Sequence, residues 1–420
     1  MDRLLIEGGV PLRGTVEISG AKNAALPLMA ASLLANSPVT LHDVPSLMDV
    51  DTMMLVLHTV GADVLRKGNT LVIDPGNFNV AEAPYNLVRK MRASIYVLGP
   101  MVAKLKKAKV SMPGGCVIGR RPIDLHLKGL ESLGARVKLS KGYIMVENPG
   151  LKESTFSLAG PSGSSVGATC NTLMAAVTAQ GRTVIHGAAK EPEVRDLIDL
   201  LNEMGAEIEA EDSTITIQGV KELHGAEHAI IPDRIEAGTY MVASAITGGD
   251  IIIKGCHLPH MEIVVSKLRE LGIEVEPVVG GARCRCNNNG NLKPINIRTL
   301  PYPGFPTDLQ AQFSALLSII EGNSTVTETI YPERFMHIAE LERMGAEISL
   351  FSSTATICGV EKLQAAPVMA TDLRASAALI LAALAAKGET EILRVYHIDR
   401  GYEHIEKKLA GLGAKISREG

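Results

Sequence analysis

The sequence predicts an α/β protein of two domains, each built from three copies of one helix-and-strand unit. Three observations carry that expectation. The chain has 420 residues, more than one ordinary hydrophobic core holds. A short phrase recurs six times, with glycines at Gly61, Gly134, Gly205, Gly272, Gly345 and Gly413, about seventy residues apart, and such regular self-similarity marks a repeated unit. Between the phrases lie helices so dense in small and apolar residues, among them Ala168 to Ala179 and Ala375 to Ala386, that burial on most sides is required.

Each phrase closes an amphipathic helix. Leu197, Leu200, Leu201 and Met204 recur three or four residues apart, as do Ile338, Leu341 and Met344, which is the helical period. The following glycine takes the left-handed position past the helix end. Two short strands about a polar turn come next, for example Ala206 to Ala210 and Thr214 to Ile217 around Asp212-Ser213. The small-residue helix then leads into a glycine and a β-branched strand, as in Thr183-Val184-Ile185-His186. Three buried helices at the centre of each domain, with sheets outside, satisfy this pattern.

The sixth unit ends at Ile416-Ser417-Arg418-Glu419-Gly420, before its return strand. Leu4-Leu5-Ile6-Glu7-Gly8 has the pattern of the missing strand, Ile215-Thr216-Ile217-Gln218-Gly219. The termini are therefore expected to pair. The boundaries become 22–229 for one domain and 1–21 plus 230–420 for the other, with crossings near residues 21 and 230 forming a double hinge.

Composition excludes several classes of function. Hydrophobic residues make up 46% and charged residues 21%, and the net charge is -4, so no broad polyanion-binding surface is advertised and any anion site is local. The absence of Trp, with aromatics at 3%, argues against base-stacking platforms for nucleic acid. No signal peptide or apolar run of membrane-spanning length is present, so a cytoplasmic protein with no membrane attachment is expected. Six scattered cysteines do not form a disulfide framework, and Cys284-Arg285-Cys286 lacks the spacing and second ligand pair of a zinc site.

Polar residues stand at the N-terminal end of every buried helix: Lys22-Asn23, Arg92, Ser164-Ser165, Asp233-Arg234, Asp308 and Asp372 with Arg374. Ser165, Asp233, Asp308 and Asp372 are suited to capping. Capping does not explain Lys22, Arg92, Arg234 or Arg374, because a cation there opposes the helix dipole and requires an anionic partner, either a carboxylate or a ligand. Gly160-Pro161-Ser162-Gly163-Ser164-Ser165-Val166-Gly167 is a Gly/Ser loop entering a helix, a form that can cradle phosphate. Pro113-Gly114-Gly115-Cys116 places a thiol on a pliable loop four and five residues before Arg120 and Arg121, where positive charge favours thiolate.

Taken together, Ser19-Gly20-Ala21-Lys22-Asn23, Met91-Arg92-Ala93-Ser94, Pro113-Gly114-Gly115-Cys116, Phe305-Pro306-Thr307-Asp308, Arg334-Phe335-Met336-His337, Thr371-Asp372-Leu373-Arg374 and His397-Ile398-Asp399-Arg400-Gly401-Tyr402-Glu403 resemble, in order, the signatures of the enolpyruvyl transferases. The closer likeness is to those that act on UDP-N-acetylglucosamine in peptidoglycan synthesis. The resemblance implies two domains of three βαβαββ repeats around buried parallel helices, the inside-out α/β barrel. It implies transfer of the enolpyruvyl group of phosphoenolpyruvate to the sugar 3-hydroxyl with release of phosphate, and no cofactor or metal.

By the same resemblance, Lys22, Arg121 and Arg400 hold phosphoenolpyruvate with Arg374 beside them. Cys116 is the acid that protonates the methylene carbon, and Asp308 is the base for the hydroxyl. Asn23, Arg92, the run Arg121, Pro122, Ile123, Asp124 and Leu125, the loop Ser164, Ser165, Val166 and Gly167, and Ile330 contact the nucleotide sugar. Arg334 orders the closed state, and Asp372 belongs to the same site. Two departures stand out: Met48 replaces a lysine frequent in the family, and the Gly/Ser loop has no lysine before Val166. The rival readings are the related transferase that uses shikimate 3-phosphate and a non-catalytic repeat scaffold.

Overall fold

The computed structural model describes residues 2–89, 91–112, 123–161, 163–286 and 292–420. Cys116, Arg120, Arg121 and Pro122 lie outside the described residues. The chain divides into two compact units: one comprises the residues up to Ser19 with Pro232–Gly420, and the other runs from Gly20 to Ile231. Each unit has its own hydrophobic core.

Among the described residues, six four-stranded sheets share one plan, three in each unit. One edge strand runs parallel to its neighbour, and the other two strands are antiparallel. Arg3–Glu7 lies between Glu389–Leu393 and Lys415–Glu419. It occupies the place that Thr214–Gln218 takes between Arg182–His186 and Glu207–Glu211, so the N-terminal strand completes the C-terminal sheet. Two edge strands come from beyond the repeat they complete: Glu227–Ala229 pairs with Val39–His42, and Arg13–Glu17 pairs with Asp250–Lys254.

The repeat glycines do what their position requires. Gly61, Gly134, Gly205, Gly272, Gly345 and Gly413 have φ of 104°, 93°, 98°, 98°, 89° and 96°, a region where a Cβ is strained. In the Pro232–Gly420 unit, the helices Arg234–Ile246, Gln310–Leu317 and Leu373–Ala385 pack on one another. In the other unit, the inner elements are Lys22–Ala31, the 3₁₀ turn Arg92–Val97 continuing into Leu98–Leu105, and Val166–Ala176. No helix among the described residues is long and apolar enough to cross a membrane.

The chain's second crossing begins from a charged clamp. His228 hydrogen-bonds Asp196 at 2.9 Å and Glu203 at 2.8 Å, both on the helix Pro192–Glu203, and Asp196 also accepts the Ile231 N–H at 3.4 Å. Burial disfavours the charged ring, but Asp196 and then Glu203 outweigh it and push the His228 pKa up to about 9. The folded protein therefore holds a proton that the unfolded chain releases above its ordinary value of 6.5. The stabilisation is fully present below that value and is lost as pH rises through about 9. His228→Gln is expected to lower the thermal midpoint most at about pH 6, with the gap to the parent narrowing by about pH 10. Melting curves showing a constant gap would remove the charge from this account.

Candidate active site

In the Gly20–Ile231 unit the sequence-selected residues gather around inner-helix starts. Lys22, the first residue of Lys22–Ala31, lies 3.5 Å from the buried carboxylate of Asp49, so a protein carboxylate supplies the partner this cation needs. Asp49 follows Met48, which opens the helix Met48–Thr59 and is exposed. Asn23 follows Lys22 on the same helix. Arg92 opens the 3₁₀ turn Arg92–Val97, and its charge reaches the buried His126. Burial first and then Arg92 drive the His126 pKa down to about 3, so the ring is neutral.

Neutral His126 accepts a hydrogen bond from Asn171 at 2.9 Å. Asn171 also donates to the Ile95 carbonyl at 3.1 Å and accepts the Gly99 N–H at 2.8 Å. One buried amide thus ties the Arg92 turn to the helix Asp124–Ser132. Sequence reasoning passed over Asn171, although a lone amide inside so apolar a helix is the available signal, since a buried polar group is retained only when paired.

The Gly/Ser loop makes a tight turn in which Gly160 and Gly163 exchange backbone hydrogen bonds at 2.9 and 3.0 Å. Ser165 then caps Val166–Ala176, its Oγ accepting the Ala168 N–H at 3.3 Å. A Cβ on Gly160 would stand 3.0 Å from the Leu125 side chain, and one on Gly167 would stand 3.0 Å from the His126 ring. Of the described part of the run Ile123, Asp124 and Leu125, it is Leu125, with the following His126, that lies against the loop carrying Ser164, Ser165, Val166 and Gly167.

In the Pro232–Gly420 unit the centre is Asp308. Its carboxylate is bound on both oxygens, by Arg334 Nη1 at 2.8 Å and by Arg374 Nη2 at 2.8 Å. Both guanidinium groups are buried, and the carboxylate is 25% exposed. Arg374 stays charged despite burial, because the carboxylates of Asp308 and Asp233 hold its pKa up. Asp308 is not a helix cap, as capping would have it. It sits in the 3₁₀ turn Thr307–Leu309 before Gln310–Leu317, where no side chain caps.

Capping does account for the other two acids. Asp233 accepts the N–H groups of Ile235 and Glu236 at 2.8 and 3.0 Å, and Asp372 accepts those of Arg374 and Ala375 at 2.9 and 3.2 Å. Each such cap stabilises its helix by about 1 kcal/mol. Asp372 also faces two histidines. Burial pushes His337 down to about 4, against Asp372 and together with Arg334. Burial and the Arg400 charge push His397 down, again opposed by Asp372. Arg400, at the end of the 3₁₀ turn Val395–Arg400, thus shares a neighbourhood with Asp372.

Ile330 belongs to a turn built on Glu328, which sequence reasoning missed. Glu328 is fully buried and accepts the N–H groups of Ile330 and Tyr331 at 2.8 and 2.9 Å and the hydroxyls of Thr299 and Thr307 at 2.7 and 2.8 Å. Four donors compensate its burial. Thr307 in turn accepts from Arg334 at 2.9 Å. A cavity of about 320 Å³ lined by Arg234, His260, Tyr302 and Pro306 reaches the residue just before the Thr307–Leu309 turn, with the Arg234 guanidinium 5.6 Å from the Tyr302 ring centre.

Chemically, the Pro232–Gly420 unit offers a carboxylate held between two buried cations, and the Gly20–Ile231 unit, taken by itself, offers cations at helix starts. Buried guanidinium groups of this kind suit small anions, and a carboxylate freed from such partners is the better proton acceptor. No group of three or more metal-ligating side chains is found among the described residues.

Comparison with known proteins agrees with this chemistry. Residues 6–409 match the family model for EPSP synthase (3-phosphoshikimate 1-carboxyvinyltransferase). The chain is 51% identical to a UDP-N-acetylglucosamine 1-carboxyvinyltransferase of Trichlorobacter lovleyi, covering 100% of this chain and 99% of the relative. It is 52% identical to the one from Gluconobacter oxydans, again over 100% and 99%. Among solved structures, the enolpyruvyl transferase NikO from Streptomyces tendae superposes with a TM-score of 0.89 at 25% identity, covering 99% of this chain and 98% of NikO. EPSP synthase from Acinetobacter baumannii, at 18% identity and a TM-score of 0.78 over 100% of both chains, shares the fold. A two-domain inside-out α/β barrel with full-length relatives at this identity places the chain in the EPSP synthase family, among the UDP-N-acetylglucosamine 1-carboxyvinyltransferases.

Proposed function

We propose that the chain transfers the enolpyruvyl group of phosphoenolpyruvate to the 3-hydroxyl of UDP-N-acetylglucosamine, releasing phosphate, the step that commits the nucleotide sugar to peptidoglycan. The observation that carries the reading is Asp308 clasped by Arg334 and Arg374. One carboxylate between two buried guanidinium groups is a poor base, because neighbouring positive charge favours its ionised form. The same guanidinium groups suit the carboxylate and phosphate of an incoming phosphoenolpyruvate. Substrate anions share the positive charge of these guanidinium groups with Asp308, which keeps its hydrogen bond from Arg374 yet gains basicity when there is a hydroxyl to deprotonate.

The steps balance as an addition and an elimination. Cys116 delivers a proton to the methylene carbon, and the adjoining carbon takes on oxocarbenium character. The sugar 3-hydroxyl attacks that carbon, its proton passing to Asp308, and a tetrahedral ketal forms. The new methyl then returns a proton to the Cys116 thiolate as the C–O bond to phosphate breaks, Asp308 passes its proton to the departing phosphate, and the double bond is restored. Lys22, Arg121, Arg374 and Arg400 hold the charges in line, which is positioning and electrostatic work. Asn23, Arg92, the run Arg121, Pro122, Ile123, Asp124 and Leu125, the loop Ser164, Ser165, Val166 and Gly167, and Ile330 hold the nucleotide sugar. Asp372 fixes the helix start that carries Arg374.

Phosphate release from phosphoenolpyruvate tests the reading. Release is expected when UDP-N-acetylglucosamine is present and absent with shikimate 3-phosphate. Release with the shikimate compound would give the substrate to the related transferase, and no release with either would favour a scaffold.

A further inference from the structure

Tyr402 stands two residues beyond Arg400, is 1% exposed, and has no role in the chemistry above. Its hydroxyl meets three side chains: Thr239 Oγ1 at 2.8 Å, Gln312 Nε2 at 3.2 Å and Arg374 Nη1 at 3.3 Å. The direction of each hydrogen bond follows from donor counting. Arg374 and the Gln312 amide nitrogen have only hydrogens to give. Thr239 spends its hydrogen on the Ile235 carbonyl at 2.8 Å. Tyr402 therefore donates to Thr239 and accepts from both Gln312 and Arg374, which fills its one hydrogen and both lone pairs.

The pattern closes on Asp308. Gln312 also donates to the Asp308 carbonyl at 3.0 Å, while Arg374 donates to the Asp308 carboxylate at 2.8 Å. A ring of hydrogen bonds thus runs from the Asp308 backbone through Gln312, Tyr402 and Arg374 to the Asp308 side chain. Turning the Gln312 amide over would set its oxygen against the Asp308 carbonyl oxygen, so the ring has one sense. The Arg374 guanidinium carbon also lies 5.7 Å from the Tyr402 ring centre, within cation–π range. Burial pushes the phenol's pKa up by more than Arg374 pulls it down, so Tyr402 remains protonated and is not itself the acid or base.

We propose that Tyr402 is a positioning residue: through Arg374 it sets the direction of the Asp308 carboxylate for proton transfer. The inference rests on the reading of Asp308 as the base. Other charges also face the assembly, with Arg334 on the second Asp308 oxygen and Asp233 acting on both Arg374 and Tyr402. The signature is therefore a change when only the phenol oxygen is removed.

The test is Tyr402→Phe in the full-length enzyme, which keeps the buried ring. Expected are a fall in kcat of about 10- to 100-fold, a KM for UDP-N-acetylglucosamine changed by no more than about twofold, and an acid limb of the kcat/KM profile displaced to higher pH as Arg374 loosens from the carboxylate. Gln312→Met interrupts the same ring from the other side and is expected to act in the same direction. The double variant is expected to be no slower than the slower single one, as for residues acting as a unit. A lower thermal midpoint with kcat and pH profile unchanged in both single variants would reduce Tyr402 to a core residue and overturn the proposal. If Asp308→Asn abolishes turnover while Tyr402→Phe leaves it intact, this inference fails alone; if Asp308→Asn keeps turnover, the reading of the base fails with it.

Discussion

Asp308→Asn is expected to lower turnover by about 10³-fold while leaving the affinity for UDP-N-acetylglucosamine within a few-fold. The substitution preserves shape and removes charge, so it separates proton transfer from packing. Arg334 and Arg374 are both buried and share this one carboxylate, so the variant leaves two cations facing a neutral amide. Breaking a buried ion pair from one side costs about 3–5 kcal/mol, reduced here because the carboxylate is partly exposed. The variant should therefore melt earlier. An anion able to replace the lost charge should restore it, so phosphoenolpyruvate is expected to raise the thermal midpoint more in the variant than in the parent. Equal shifts would mean that the two arginines do not serve the substrate anion, and near-parent turnover would reject Asp308 as the base.

Cys116→Ser is expected to lower turnover by about 10²-fold or more and to abolish covalent labelling by the epoxide fosfomycin. A serine hydroxyl neither gives nor takes a proton readily near neutrality, whereas a thiol near cations does both. The remaining thiols make the labelling selective. Burial pushes Cys256 and Cys284 up to about 12 and raises Cys170 and Cys286 as well, and all four are buried. Cys358, exposed at the end of the strand Thr354–Cys358, serves as the internal control for indiscriminate alkylation. Peptide mapping after incubation is expected to place the adduct on the Cys116 peptide. An adduct on Cys358 with Cys116 unmodified would contradict the assignment.

Much of the framework was legible because it is local or periodic. A glycine ending a helix announces a left-handed turn, and all six adopt one. The strand Leu4-Leu5-Ile6 could be matched to Ile215-Thr216-Ile217 because repeats impose the same alternation on the same place. The caps at Ser165, Asp233 and Asp372 followed from residue type beside a helix start. What escaped the sequence depends on long-range pairing. Arg374 reaches Asp308 across 66 residues, Asn171 reaches His126 across 45, and Tyr402 reaches Thr239 across 163. No local pattern encodes such partners. Asp308 is the clearest case: residue type and position favoured a cap, yet two distant guanidinium groups hold its carboxylate. Glu328 and Gln312 gave no signal either, because a polar residue in an apolar stretch shows only that a partner exists.

Turnover of phosphoenolpyruvate carrying ¹⁸O in the bridging oxygen, with UDP-N-acetylglucosamine as acceptor, tests the central claim most directly. Addition at carbon followed by elimination breaks the C–O bond, so all of the label is predicted in the released phosphate. Label retained in the carbon product would mean cleavage at phosphorus, and enolpyruvyl transfer by this site would be contradicted.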